Sequence, residues 1–70
     1  MTLGEIFADA RQRKGLTLRE LEARCGVSNP LIHQIEKGKV RDPGFRTVVR
    51  IARVLRLSLQ RLANADPPSV

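Results

Sequence analysis

Cysteine occurs once, as Cys25, and histidine once, as His33, so the chain can close no internal disulfide and offers no Cys or His pair at zinc-ligand spacing. A disulfide scaffold and a zinc module are both excluded, and a reducing, cytoplasmic setting fits. No apolar run reaches the length of a membrane span, and Glu5 and Asp9 stand where a signal peptide would carry positive charge and then an apolar stretch. The chain therefore reads as soluble, with no membrane partner. No glycine-rich phosphate loop follows a strand, Cys25 has no nearby base, and the carboxylates are scattered along helix surfaces, so neither a reaction nor a cofactor is expected. Neither a Gly/Pro linker nor an internal repeat divides the 70 residues, which leaves room for one domain with a small core. Such a domain should be a compact bundle, or should lean on a partner chain for part of its stability. Residues 1–64 form the expected domain, and 65–70, with Pro67-Pro68, read as a loose tail.

Acid is nearly missing from the second half. From Met1 to Glu36, Arg11, Arg13, Lys14, Arg19 and Arg24 are set against Glu5, Asp9, Glu20, Glu22 and Glu36. From Lys37 to Arg61, by contrast, Lys37, Lys39, Arg41, Arg46, Arg50, Arg53, Arg56 and Arg61 face only Asp42. The net charge of +6 thus arises in one half of the chain and suggests a polyanionic partner.

What is present is helical. Thr2-Leu3-Gly4-Glu5 has the form of a capping box, and Leu3, Ile6, Phe7 and Ala10 recur at helical spacing until Lys14-Gly15, which predicts a helix over about Leu3 to Lys14. Thr17-Leu18-Arg19-Glu20 repeats the cap signature, and Gly26 is the next stop, so a second helix runs from roughly Leu18 to Cys25. Only Gly26-Val27 then separates it from the next cap, Ser28. Two short helices joined by so short a glycine turn must cross steeply, which defines a helix-turn-helix at about residues 18–36. Leu21, Val27, Ile32 and Ile35 are the expected apolar knot at the crossing. Glu36-Lys37-Gly38 ends the third helix, and a basic loop from Lys39 to Gly44 follows. A fourth helix opens at Phe45 with Phe45, Val48, Val49, Ile51, Ala52 and Leu55 as its apolar set. Arg46, Arg50 and Arg53 line its other face; for Arg50 and Arg53 a solvated role is favoured. Ser58 can cap a last short helix carrying Leu59, Leu62 and Ala63.

The stretch from Ser28 to Glu36 turns Leu31, Ile32 and Ile35 inward and leaves Asn29, Pro30, His33 and Gln34 at its start and outer side, as a probe of a DNA groove requires. Pro30 is harmless in a first turn but disfavours helical geometry at Asn29. Either Ser28 caps the helix and Asn29 points outward, or Asn29 is the cap and its side chain is taken up by the backbone.

From about Leu3 to Leu62 the chain resembles the Xre/Cro-type, lambda-repressor-like helix-turn-helix domains of bacteria and their phages. The resemblance rests on Leu3-Gly4-Glu5-Ile6, Arg11, Lys14-Gly15-Leu16-Thr17, Glu20-Leu21, Gly26-Val27-Ser28, Ile32, Gln34-Ile35-Glu36-Lys37-Gly38, Pro43, Ala52, Leu55, Leu57-Ser58-Leu59 and Leu62. It implies an all-α, compact five-helix bundle whose third helix lies in the DNA major groove. Positions matching Asn29, Pro30, His33 and Gln34 then face base edges, while those matching Lys39, Arg41 and Phe45 approach phosphates, with Arg46 alongside. An ion pair of Arg11 with Glu36 is also implied, and the family register favours Ser28 as the cap. Pro30 is one departure from the family pattern, and two more are visible. Leu18 replaces a polar phosphate contact, which would pass to the backbone or to Arg19. Glu22 stands where the family has a small residue, so its stem turns outward or the crossing opens slightly.

The function expected is a sequence-specific regulator of double-stranded DNA, nucleoid-associated in a bacterium or phage host, acting as a homodimer with Leu59 the interface candidate. The rival is a protein-interaction module, such as an antitoxin that grips a toxin. Amides at Asn29 and Gln34 and cations in the following loop favour DNA.

Overall fold

The computed structural model describes residues 1–67 and contains five helices: α1 (Leu3–Arg13), α2 (Leu18–Cys25), α3 (Asn29–Glu36), α4 (Phe45–Leu55) and α5 (Leu59–Ala63). Among the described residues the only extended pairing is an isolated parallel bridge between Thr2 and Asp66. Both capping boxes form. Thr2 and Thr17 each accept from the backbone N–H of the glutamate three residues on, at 3.2 and 3.1 Å, and each glutamate side chain accepts in return from the threonine N–H. These bonds satisfy N–H groups that the first turn of a helix leaves without partners. They also hold the Glu5 and Glu20 carboxyls below the usual carboxylate range, because the charged form is the one the N–H groups favour.

The core is built from all five helices. Ile6 and Phe7 of α1, Leu21 and Cys25 of α2, Ile32 and Ile35 of α3, Ile51, Ala52 and Leu55 of α4, and Leu62 of α5 are buried, with Leu16 and Val27 entering from the turns. Its centre is Phe7, Leu21, Ile32 and Ile51, each at 0% exposure. The three consecutive helices α1 to α3 bring their periodic apolar faces to this centre, and α4 closes it against α1 and α2.

Gly4 sets how closely α1 can approach α3. A Cβ built there would lie 2.9 Å from the Glu36 carbonyl oxygen and nearer still to that of Ile35, so the last turn of α3 rests directly on the first turn of α1. Only a residue without a side chain permits that contact.

Phe45 corrects one expectation. It heads the apolar set read for α4, yet it is 74% exposed, whereas Ile51, Ala52 and Leu55 further along the same helix are buried. It is the first residue of α4, and helical side chains lean toward the N-terminus, so its ring hangs beyond the end of the packed layer. At the other end of the chain, Ala65 packs on the core and the Asp66 N–H donates to the Met1 carbonyl at 2.8 Å. Ala65 and Asp66, part of the stretch read as a loose tail, therefore lie against the core and the residues that precede α1; Pro68, Ser69 and Val70 lie outside the described residues.

Candidate nucleic-acid interface

The turn between α2 and α3 is short because Gly26 ends α2 in the left-handed conformation, φ +76°, with its N–H on the Glu22 carbonyl. Leu21, Val27, Ile32 and Ile35 are all buried behind it, forming the expected knot at the crossing. With that face of α3 fixed inward, Pro30, His33 and Gln34 are exposed on the opposite side, and Asn29 is half-buried at the helix start. Three of the four residues read from the sequence are thus exposed on α3, and the fourth, Asn29, is half-buried at its start.

Ser28 occupies the cap position with extended backbone, φ −61° and ψ 143°, and Asn29 is the first helical residue, followed by Pro30 in the first turn. The Ser28 hydroxyl nevertheless makes no capping bond. Glu22 does so from α2: its carboxylate accepts from the Asn29 N–H at 3.1 Å and from Asn29 Nδ2 at 2.9 Å. Those bonds, the side-chain one first, hold the Glu22 carboxyl below its ordinary range. The bulk foreseen at Glu22 is thereby turned into a clasp between α2 and α3. Glu22 is a residue whose role the sequence reading missed. Its signal was a carboxylate directly after the core residue Leu21, facing a helix start that a proline had left with an uncertain cap.

Beyond α3, Lys39 and Arg41 are exposed in the loop, and Phe45 and Arg46 are exposed at the start of α4. Asp42, the acid among them, accepts instead from the Gly44 N–H at 3.3 Å. Among the described residues no carboxylate pairs with Lys37, Lys39, Arg41 or Arg46, nor with Arg19 on α2. Lys37, Lys39, Arg41 and Arg46 thus follow α3 in the chain, exposed and without a carboxylate partner, so a polyanion meets them without first breaking protein ion pairs.

Arg11 and Glu36 are brought together. Arg11 Nε donates to Glu36 Oε2 at 2.8 Å and Nη2 to Oε1 at 3.0 Å, while Nη1 donates to the Leu16 carbonyl at 2.8 Å. The side chains are 14% and 5% exposed. This two-pronged, charge-assisted pair fastens the end of α3 to α1 and to the loop before α2, and it tightens the hold of Arg11 on its proton. Leu59 lies apart from this surface on α5, 48% exposed.

A five-helix bundle whose second and third helices meet across a short glycine turn, with the third exposed along one edge, defines a helix-turn-helix domain. The chain belongs to the helix-turn-helix family of the Xre, lambda-repressor-like kind, whose family model matches residues 7–62. It is similar to the uncharacterized HTH-type transcriptional regulator y4dJ of Sinorhizobium fredii, 39% identical over 56 residues that make up 80% of this chain and 71% of that protein. It is also similar to the uncharacterized HTH-type transcriptional regulator Rv0474 of Mycobacterium tuberculosis, 36% identical over 59 residues, 84% of this chain and 41% of that protein. SlrR of Bacillus subtilis, likewise an HTH-type transcriptional regulator, is 28% identical over 64 residues, and the chain spans 42% of its length. In three dimensions the fold superposes on the crystal structure of the biofilm master regulator SinR in complex with DNA. The TM-score is 0.84 at 25% identity, covering 90% of this chain and 100% of that one.

Proposed function

We propose that this chain is a sequence-specific, double-stranded DNA-binding transcriptional regulator that lays α3 in the major groove. The observation that carries this reading is the pairing of an exposed amide- and imidazole-bearing edge on α3 with uncompensated cations on the loop that follows it. Base edges are read by side chains that donate and accept at fixed positions, and phosphates by cations and backbone N–H groups. Gln34 is the principal reader, able to bond adenine N6 and N7 together, with Pro30, His33 and Asn29 beside it. Lys39, Arg41, Arg46 and Arg19 neutralise phosphates, and the Phe45 ring lies against the sugar-phosphate wall. The protein works in the cytoplasm as a homodimer on a palindromic operator, the two copies of α3 entering successive major grooves. Its similarity to HTH-type transcriptional regulators and to the DNA-bound SinR structure supports this reading.

The test is a salt titration of binding to duplex DNA, run with the unmutated protein and with Lys39→Ala and Arg41→Ala. Affinity should fall steeply as salt rises, and each variant should lower the slope by about one while weakening all sequences alike. A flat response to salt would remove DNA from the account and leave a protein-binding module.

A further inference from the structure

The cap of α3 comes from another helix. A carboxylate only accepts hydrogen bonds, so Glu22, held 2.9 Å from Asn29 Nδ2, dictates which way the Asn29 carboxamide faces. A flip would set Oδ1 against the carboxylate, acceptor against acceptor. The second bond, from the Asn29 backbone N–H at 3.1 Å, fixes the carboxylate itself at the helix start, so the clasp has no freedom to follow a flipped amide. One Nδ2 hydrogen is taken up by Glu22. The other hydrogen and the Oδ1 acceptor remain, and a side by side donor and acceptor of this kind match adenine N7 and N6.

We propose that Glu22 is a positioning residue for base reading: by holding the Asn29 carboxamide in one orientation, it makes Asn29 select adenine over guanine at one base pair. The proposal rests on the reading of α3 as the helix that enters the groove. Adenine and guanine differ in the major groove at one place, where adenine offers an N–H and guanine the O6 acceptor. A carboxamide free to rotate can give a single N–H bond to O6 with its Oδ1 swung clear of the N7 acceptor, and so tolerate guanine; one clasped by Glu22 keeps Oδ1 facing O6 and does not. Ordering a free side chain at the moment of binding also weakens affinity by roughly two- to tenfold, which the clasp avoids.

The experiment selects binding sites from a randomised duplex library with the unmutated chain, Asn29→Ala, Glu22→Ala, Glu22→Gln and the Glu22→Ala/Asn29→Ala pair. Asn29→Ala should flatten one position of the selected motif by about tenfold. Glu22→Ala should relax adenine over guanine at that same position by roughly two- to tenfold, leave the rest of the motif intact, and add nothing to Asn29→Ala. Glutamine keeps the volume and can still cap α3, but its amide can donate to Oδ1 and so frees the flip. Glu22→Gln should therefore relax the same position, whereas a purely structural clasp would leave the motif unchanged in that variant. In the DNA-free protein the Asn29 side-chain NH2 resonances should move in Glu22→Gln. Unmoved resonances would overturn the clasp without any appeal to DNA. A position sensitive to Asn29→Ala yet indifferent to both Glu22 variants would overturn the proposal and leave the DNA reading standing. An unmutated chain that selects no sequence would overturn both.

Discussion

A carboxylate at 5% exposure is held in this fold only because a guanidinium meets both of its oxygens. Removing the cation strands the acid, and a stranded buried charge costs about 3 to 5 kcal/mol, whereas an exposed pair of the same length would be worth under about 1. Arg11→Met should therefore lower the unfolding free energy, measured by urea titration, by several kcal/mol. A loss below about 1 kcal/mol would mean that solvent reaches Glu36 freely. Arg56 presents the opposite case. It ends α4 with φ 56°, the one non-glycine residue at positive φ among those described, and the left-handed region is disfavoured for any side chain on Cα. Arg56→Gly should stabilise the domain by up to about 1 kcal/mol, since glycine enters that region without penalty but gives back part of the gain as chain entropy in the unfolded state. Thermal melting of the two forms checks the sign. At this scale the sequence was readable wherever a residue acts on its near neighbours, as Thr2 and Thr17 do. It was silent about Arg56, because positive φ at a helix end is normally announced by glycine and here is not. It was half-readable at Glu22, whose bulk was visible while the partner that uses it, seven residues on, was not.

Helix ends and helix faces answer to different forces, and α1 shows both. Its glycine at position 4 should weaken it, since alanine there would raise helix propensity by about 1 kcal/mol. Packing reverses the sign. The added Cβ meets the carbonyl oxygens of Ile35 and Glu36, which are backbone and cannot swing aside, so the helices must part and carry the Arg11–Glu36 pair with them. Gly4→Ala should destabilise by at least about 1 to 3 kcal/mol, the usual range for overpacking, and calorimetry of the variant decides it. The α2 cap brings a pH dependence of known sign. Glu20 is held below its ordinary carboxyl range by the Thr17 backbone and side chain, so its contribution is complete above the unfolded-state value. That contribution is lost as pH falls through the lower, folded-state value. Glu20→Gln should therefore lower the melting temperature near neutrality, where the carboxylate contribution is complete, and the two proteins should converge as pH falls below the folded-state value of Glu20. A parallel shift at every pH would assign the effect to packing instead. Element boundaries were legible because caps and stops are local chemistry. The exposure of Phe45 was not, since a hydrophobic period gives the direction a side chain takes around the helix axis but not whether anything lies beyond the helix end.

At the scale of the molecule the charge pattern read from the sequence acquires a place: the balanced half builds α1 to α3, and the unbalanced half begins in the loop leaving α3. The relation between two copies of the chain is the part that sequence cannot supply, because a lone apolar residue on α5 serves equally as surface, core or interface. In the structure Leu62 fills the core and Leu59 is left 48% exposed, so α5 divides its apolar residues between the domain and whatever lies outside it. A single short reading helix touches too few bases to single out a site, and modules of this kind reach specificity by pairing on half-sites about 34 Å apart. With Leu59 as the outward contact, a charge placed there should separate folding from pairing. Leu59→Glu is expected to keep the unfolding free energy within about 0.5 kcal/mol of the unmutated protein, since Leu59 lies outside the buried core. It should sediment as a monomer, keep its salt-dependent affinity for unrelated duplex, and lose most of its affinity for a palindromic site. If the unmutated chain sediments as a monomer at concentrations that saturate DNA, and binds an isolated half-site as tightly as the palindrome, the pairing is wrong and Leu59 is surface.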